Sequence, residues 1–175
     1  DGISVSDHVV HPERIRSRYP YTEDGEPRWT PSAPWPDPMV AIGAMAAVTG
    51  RLRFLTSVFV LPMRNPFLVA KAVGTAQVLS RGRVILGVGL GWMKDEFELL
   101  GQNFHDRGKR ADEMIEVLRT LFQGGMVEFH GKFYDFPQLY CFPKPGRRPH
   151  PPIILGSRAS NASSGSPRGE TAGYR

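Results

Sequence analysis

The stretch Arg83-Val84-Ile85-Leu86-Gly87-Val88-Gly89-Leu90-Gly91-Trp92 constrains the fold more than any other part of the chain. It begins as a continuous apolar run, the pattern of a strand buried in a parallel sheet. It ends in glycines at every second position. Glycine inside a strand marks a place where another group comes close to the backbone. In α/β folds, ligands bind at the carboxyl ends of the strands. The stretch therefore predicts a ligand site at residues 87–92, with tight packing at a bend as the structural alternative. The G-x-G-x-x-G spacing of a dinucleotide fingerprint fails here, and no Gly-Lys-Ser/Thr phosphate loop is present.

Around this stretch strands and helices alternate. Ile3-Ser4-Val5 reads as a short buried strand, with Asp7 and His8 at or just past its end. About 25 residues rich in Pro, Tyr, Trp and charge follow at 11–35, and a connection that long is usually functional or mobile. Asp37-Pro38 pairs an N-cap with proline at the first helical position, opening a helix over 39–48 that Gly50 ends. A strand is expected over 52–61, apolar apart from Arg53, Thr56 and Ser57. Asn65-Pro66 repeats the cap for a helix over 67–79, closed by Arg81-Gly82. A helical turn is expected at 95–100, ending at Gly101. An amphipathic helix follows over 109–123, with Ala111, Met114-Ile115, Leu118 and Leu121-Phe122 on one face. Residues 126–136 read as a β-hairpin around His130-Gly131, outside the main sheet. Ile153-Ile154-Leu155-Gly156 is a last short strand. This order predicts βαβ units, a parallel sheet, and one face where Asp7-His8, Thr56-Ser57-Val58, residues 87–92 and Gly156 converge. Four such strands make half of a (β/α)8 barrel.

Composition narrows the function classes. The 175 residues are 41% hydrophobic and 22% charged, as in an ordinary single globular domain. The net charge of +5 comes without a basic run interleaved with aromatics, so no nucleic acid is expected as a partner. No apolar run reaches the ~18 residues of a membrane span, and no signal-peptide pattern opens the chain. A single cysteine, Cys141, excludes an internal disulfide and suits the cytoplasm. His105, His130 and His150 stand apart, so no metal site is expected. Residues 1–156 read as one domain, and 157–175 as a disordered, low-complexity tail rich in Ser, Gly, Ala and Arg. The chain opens without Met, inside a strand, which reads as an incomplete protein.

The polar residues at the expected face are the candidate chemistry. His8 is the side chain suited to general acid or base work near neutral pH. Asp7 can bond a ligand or orient a neighbour. The Thr56-Ser57 hydroxyls either satisfy local backbone or mark a bulge aimed at a ligand. Tyr19, Tyr21, Trp29 and Trp35 read equally as a cover over an apolar ligand and as loop packing.

Five stretches, in order, resemble the luciferase-like monooxygenase superfamily. They are Ser6-Asp7-His8; Thr56-Ser57-Val58 with Arg64-Asn65-Pro66; Gly87 through Trp92-Met-Lys-Asp-Glu-Phe97; Gly131-Lys-Phe-Tyr134; and Pro143-Lys-Pro145. Within it they resemble the deazaflavin branch, which uses coenzyme F420. The resemblance implies a (β/α)8 TIM barrel, present here as about strands 2 to 5, and a hydride-transferring oxidoreductase acting on a small organic substrate. It implies His8 as the catalytic base. Asp7, Ser57, Val58, Gly91, Trp92, Asp95 and Gly156 are implied to line the cofactor, with Ser57-Val58 a non-proline cis peptide behind its ring. Two departures stand out: Trp92 replaces a glutamate of some deazaflavin dehydrogenases, and Ser157 replaces the second glycine of a pair. An FMN-dependent monooxygenase of the same superfamily is the alternative. A non-catalytic half-barrel remnant is a third reading, since unpaired strand edges could pair copies into a homo-oligomer.

Overall fold

Parallel strands need long crossovers, and helices supply them here. The computed structural model describes residues 1–146 and 149–156. The expected tail at 157–175, and with it Ser157, lies outside the described residues.

The main sheet holds β1 (Gly2–Val5), β2 (Arg53–Thr56), β3 (Phe59–Val60), β4 (Val84–Gly89) and β7 (Ile153–Leu155). β1 pairs with β2, β2 with β4, and β4 with β7, all in parallel. β3 also pairs with β4, farther along it. The single strand expected over 52–61 is therefore interrupted. Leu55 sits opposite Ile85 and Phe59 opposite Val88. The first strand uses one residue more than its partner over that interval, which is a β-bulge. The Ser57–Val58 peptide inside it is cis, the geometry implied by the resemblance. A 3-10 turn at Leu61–Met63 follows.

The helices form where their caps are written. Asp37 accepts from the amides of Met39 and Val40 and starts α1 (Pro38–Ala47). Asn65 does the same for Phe67 and Leu68 and starts α2 (Pro66–Leu79). The short α3 (Lys94–Leu99) has no side-chain cap and ends before Gly101 at positive φ. The amphipathic α4 (Arg107–Phe122) buries Ala111, Met114, Val117, Leu118 and Leu121. α1, α2 and α4 pack their apolar faces on Phe54, Val84, Leu86 and Val88, the alternate residues of the sheet that face the helices. The opposite face leaves Leu55 and Ile85 half-buried. There Ile154 is 52% exposed.

The hairpin of β5 (Val127–His130) and β6 (Asp135–Leu139) is a separate antiparallel pair, as expected. Glu113 of α4 accepts from the amides of Phe133 and Tyr134 and ties the hairpin turn to the helix layer. No helix among the described residues is long and apolar enough to cross a membrane.

Candidate active site

At the carboxyl ends of the strands, the glycines of β4 have a different use from the one expected. A side chain at Gly87 would meet the Thr56 carbonyl at 2.1 Å, and one at Gly89 would meet Val58 at 2.4 Å. At Gly156 it would meet Val58 at 2.8 Å. The group that comes close to these backbones is the bulge of the neighbouring strand, so tight packing explains Gly87 and Gly89. Thr56 is fully buried, and its hydroxyl donates to the Gly87 carbonyl across the same gap. Ser57 stays exposed and Val58 half-buried at the rim of the sheet. Gly91 has φ +81° in a turn where a side chain would strike Phe97 and Val60.

Asp7 is buried and fully engaged. Its Oδ2 accepts from the Val60 amide at 2.9 Å and from Arg64 at 2.8 Å, and its Oδ1 from Arg64 at 2.7 Å. The Arg64 guanidinium also lies 4.1 Å from the centre of the Phe59 ring. Burial pushes the Asp7 carboxyl above the ordinary carboxylate value. The Arg64 charge and the bonds from Arg64 and Val60 pull it part of the way back.

His8 stands next to this pair. Its Nδ1 is 3.0 Å from Oε2 of Glu96, and the two side chains are 9% and 3% exposed. The Glu96 Oε1 accepts from the backbone amides of Val9 and Val10. Nε2 of His8 has no hydrogen-bond partner among the described residues. Trp35, Trp29 and Trp92 surround the imidazole, with ring centres 4.9, 5.7 and 6.2 Å away. These are all three tryptophans of the chain. Tyr19 closes on Trp29 and Trp92, at 5.0 and 4.9 Å. The loop aromatics thus pack on one another and on His8. The sequence reading missed Glu96. Its signal was position: Glu96 falls in the apolar stripe of Met93, Phe97 and Leu100, at helical spacing.

The neighbouring Asp95 has a different task. It is 5% exposed and accepts from the backbone and side chains of Arg16 and Ser17. Burial pushes its carboxyl up, but these bonds outweigh burial and hold it well below the usual carboxylate range. Asp95 therefore fastens the long connection to α3, and its oxygens are spoken for by the chain.

A cavity of about 440 Å³ opens beside His8, lined also by Trp35, Phe59, Met63, Arg64 and Leu68. Nε1 of Trp35 is buried without a hydrogen-bond partner among the described residues. A buried donor without an acceptor is costly, so it fits an oxygen or nitrogen acceptor supplied by a bound molecule. Of the expected site residues only His8 lines this cavity; Asp7, Ser57, Val58, Gly91, Trp92 and Gly156 lie at the same end of the sheet outside it, while Asp95 faces the loop.

The chain belongs to the luciferase-like monooxygenase family, whose model matches residues 18–164. It is 41% identical over 161 residues to an uncharacterized protein of Mycobacterium tuberculosis, covering 92% of this chain and 55% of that protein. It is 34% identical over 122 residues to an FMNH2-dependent dimethylsulfone monooxygenase of Pseudomonas putida, covering 68% of this chain and 33% of that one. Its fold is similar to that of an F420-dependent secondary alcohol dehydrogenase in complex with an F420-acetone adduct. There the TM-score is 0.67 at 22% identity, over 89% of this chain and 43% of that one. The chain spans about half the length of the mycobacterial relative. Its matches include both an FMNH2-dependent monooxygenase and an F420-dependent dehydrogenase, and the sheet is part of a TIM barrel.

Proposed function

We propose that this chain forms the strand 2 to 5 part of an oxidoreductase that moves a hydride between coenzyme F420 and a small organic substrate. The observation that carries the reading is His8: a histidine at a strand end that lines a cavity, with Nδ1 tied to a buried carboxylate. Hydride transfer at a carbon bearing oxygen needs a proton moved at that oxygen, and His8 Nε2 would give or take it. A bound deazaflavin would supply the two-electron hydride donor or acceptor. Ser57, Val58 and Gly156 would back its ring. Gly91 and Trp92 would border it, and Trp35 Nε1–H would find its acceptor in the bound molecules. Asp7 would act through its hold on Arg64 and β3. The choice of F420 rests on the resemblance of the ordered motifs.

A second reading, an FMN-dependent monooxygenase, is favoured by the 34% identity to the Pseudomonas putida enzyme. The two separate on cofactor identity. Since every tryptophan surrounds His8, tryptophan emission reports occupancy of this end. Titration with F420 is expected to quench it saturably at micromolar concentration, with FMN weaker. The reverse order supports the monooxygenase. Quenching by neither overturns both and leaves a non-catalytic half barrel.

A further inference from the structure

α3 presents two adjacent carboxylates to the long connection, and they anchor it in different ways. Asp95 ties Arg16 and Ser17. Glu96 is buried among Met93 and Phe97, where an apolar side chain of similar size would pack at least as well. Its oxygens are divided in a particular way: Oε1 takes the amides of Val9 and Val10, and Oε2 takes Nδ1 of His8. An ionised carboxylate only accepts hydrogen bonds, so the His8 proton in that bond sits on Nδ1. The other nitrogen, Nε2, is then the basic one. The rings of Trp35 and Trp92, inclined at 71° and 87° to the imidazole, restrict its rotation.

We infer that Glu96 is a positioning residue that sets the tautomer and direction of His8, presenting an unprotonated Nε2 to the cavity. The inference rests on the reading of His8 as the proton-transfer group, and deepens it. A histidine held at one nitrogen by a carboxylate is oriented and favoured in its protonated state as the other nitrogen takes a proton. Glu96 touches no reacting atom and acts through His8.

Glu96→Gln separates this role from loop anchoring. The amides of Val9 and Val10 both need an acceptor at Oε1, so the amide oxygen takes that place. Its NH2 then faces Nδ1 and donates to it. His8 must accept at Nδ1 and carry its proton on Nε2. The test is a side-chain 15N spectrum of the histidine-labelled chain at pH 8, above the ordinary histidine range. In the wild type, Nδ1 of His8 is expected to give the protonated signal and Nε2 the pyridine-type signal. In Glu96→Gln the two exchange, while Glu96→Asp, which keeps the carboxylate, keeps the wild-type assignment. In F420-linked turnover, Glu96→Gln is expected to lower kcat on the order of 10²-fold with KM little changed. A wild-type proton on Nε2, or the same tautomer in Glu96→Gln as in the wild type, overturns the inference. So does full turnover in that variant. A wild type that does not bind F420 defeats the cofactor reading instead, and the spectra still decide the role of Glu96.

Discussion

Each end of the sheet holds one arginine over a phenylalanine of the same interrupted strand, and the two are neutralised in opposite ways. At the carboxyl end, Arg64 lies over Phe59 and pairs with the buried Asp7. At the amino end, Arg83 lies 5.1 Å from the Phe54 ring centre. Its donors go to the carbonyls of Ala46, Thr49, Leu52 and Ser80 and to the Thr49 hydroxyl. Those carbonyls are the unpaired ends of α1 and α2 and the entry to β2, where a cation is favourable. Carbonyls do not titrate. Arg83 therefore closes its end as a permanent structural clasp. The carboxyl end is built from groups that can change charge (Asp7, His8, Glu96, Asp95) beside a cavity and a buried indole donor without an acceptor. That contrast marks which end holds the chemistry.

The sharpest way to break the comparison is to remove each arginine in turn. Arg64→Ala leaves the Asp7 carboxylate buried without its partner, at a cost of about 3–5 kcal/mol near pH 8. Asp7 already has a raised pKa when folded. Without the Arg64 charge and hydrogen bonds it rises further, so the unpaired charge is present at high pH and is relieved as protons bind. The loss should shrink steadily as the pH falls toward about 4. Arg83→Ala leaves several carbonyls without donors and should cost about 3 kcal/mol. That loss should stay nearly constant between about pH 4 and 8, because its hydrogen-bond partners among the described residues are carbonyls and a hydroxyl. Urea unfolding at several pH values measures both, and equal pH slopes would erase the distinction.

Gly87→Ala is next in size. The new carbon would sit 2.1 Å from the Thr56 carbonyl, so the bulge must shift, at a cost of about 2 kcal/mol. Tryptophan emission should change with it, since Val58 lies at the same rim. An unchanged spectrum with full stability would mean that the glycines do not seat the bulge. The smallest effect is Asp95→Asn, at about 1.5 kcal/mol at pH 7 from weakened charge-assisted bonds. The folded pKa of Asp95 is lowered from its ordinary 3.8. Its contribution is whole above that ordinary value and is lost as the pH falls toward the depressed one. The gap between wild type and variant should close below about pH 4, the same direction as at Asp7 but in a lower pH window.

How far the sequence could be read follows from how far apart the partners lie. Asp37 and Asn65 cap helices that begin one residue later, so both helices were legible to within a residue or two. The hairpin and the face of α4 depend on short-range patterns and were legible too. The glycines announced a close approach at residues 87–89, but the group approaching lies on a strand about 30 residues earlier, and no local pattern names it. Arg64 meets Asp7 across 57 positions and Glu96 meets His8 across 88. His8 was legible as a candidate because a histidine at a strand end is chemically conspicuous. Its partner was hidden, because a glutamate in a short helix reads as surface until the stripe it occupies is known to be buried. Asp95 drew attention as a cofactor residue, and its hydrogen bonds go to Arg16 and Ser17 in the loop.

The most direct test of the account is amide and indole spectroscopy of the 15N-labelled chain during titration with F420. The account predicts saturable shifts of the three indole signals and of His8, Val58, Gly91 and Trp92, with Gly82, Arg83 and Thr49 at the other end unmoved. Shifts gathered at the amino end, or no saturable shift at all, would contradict it.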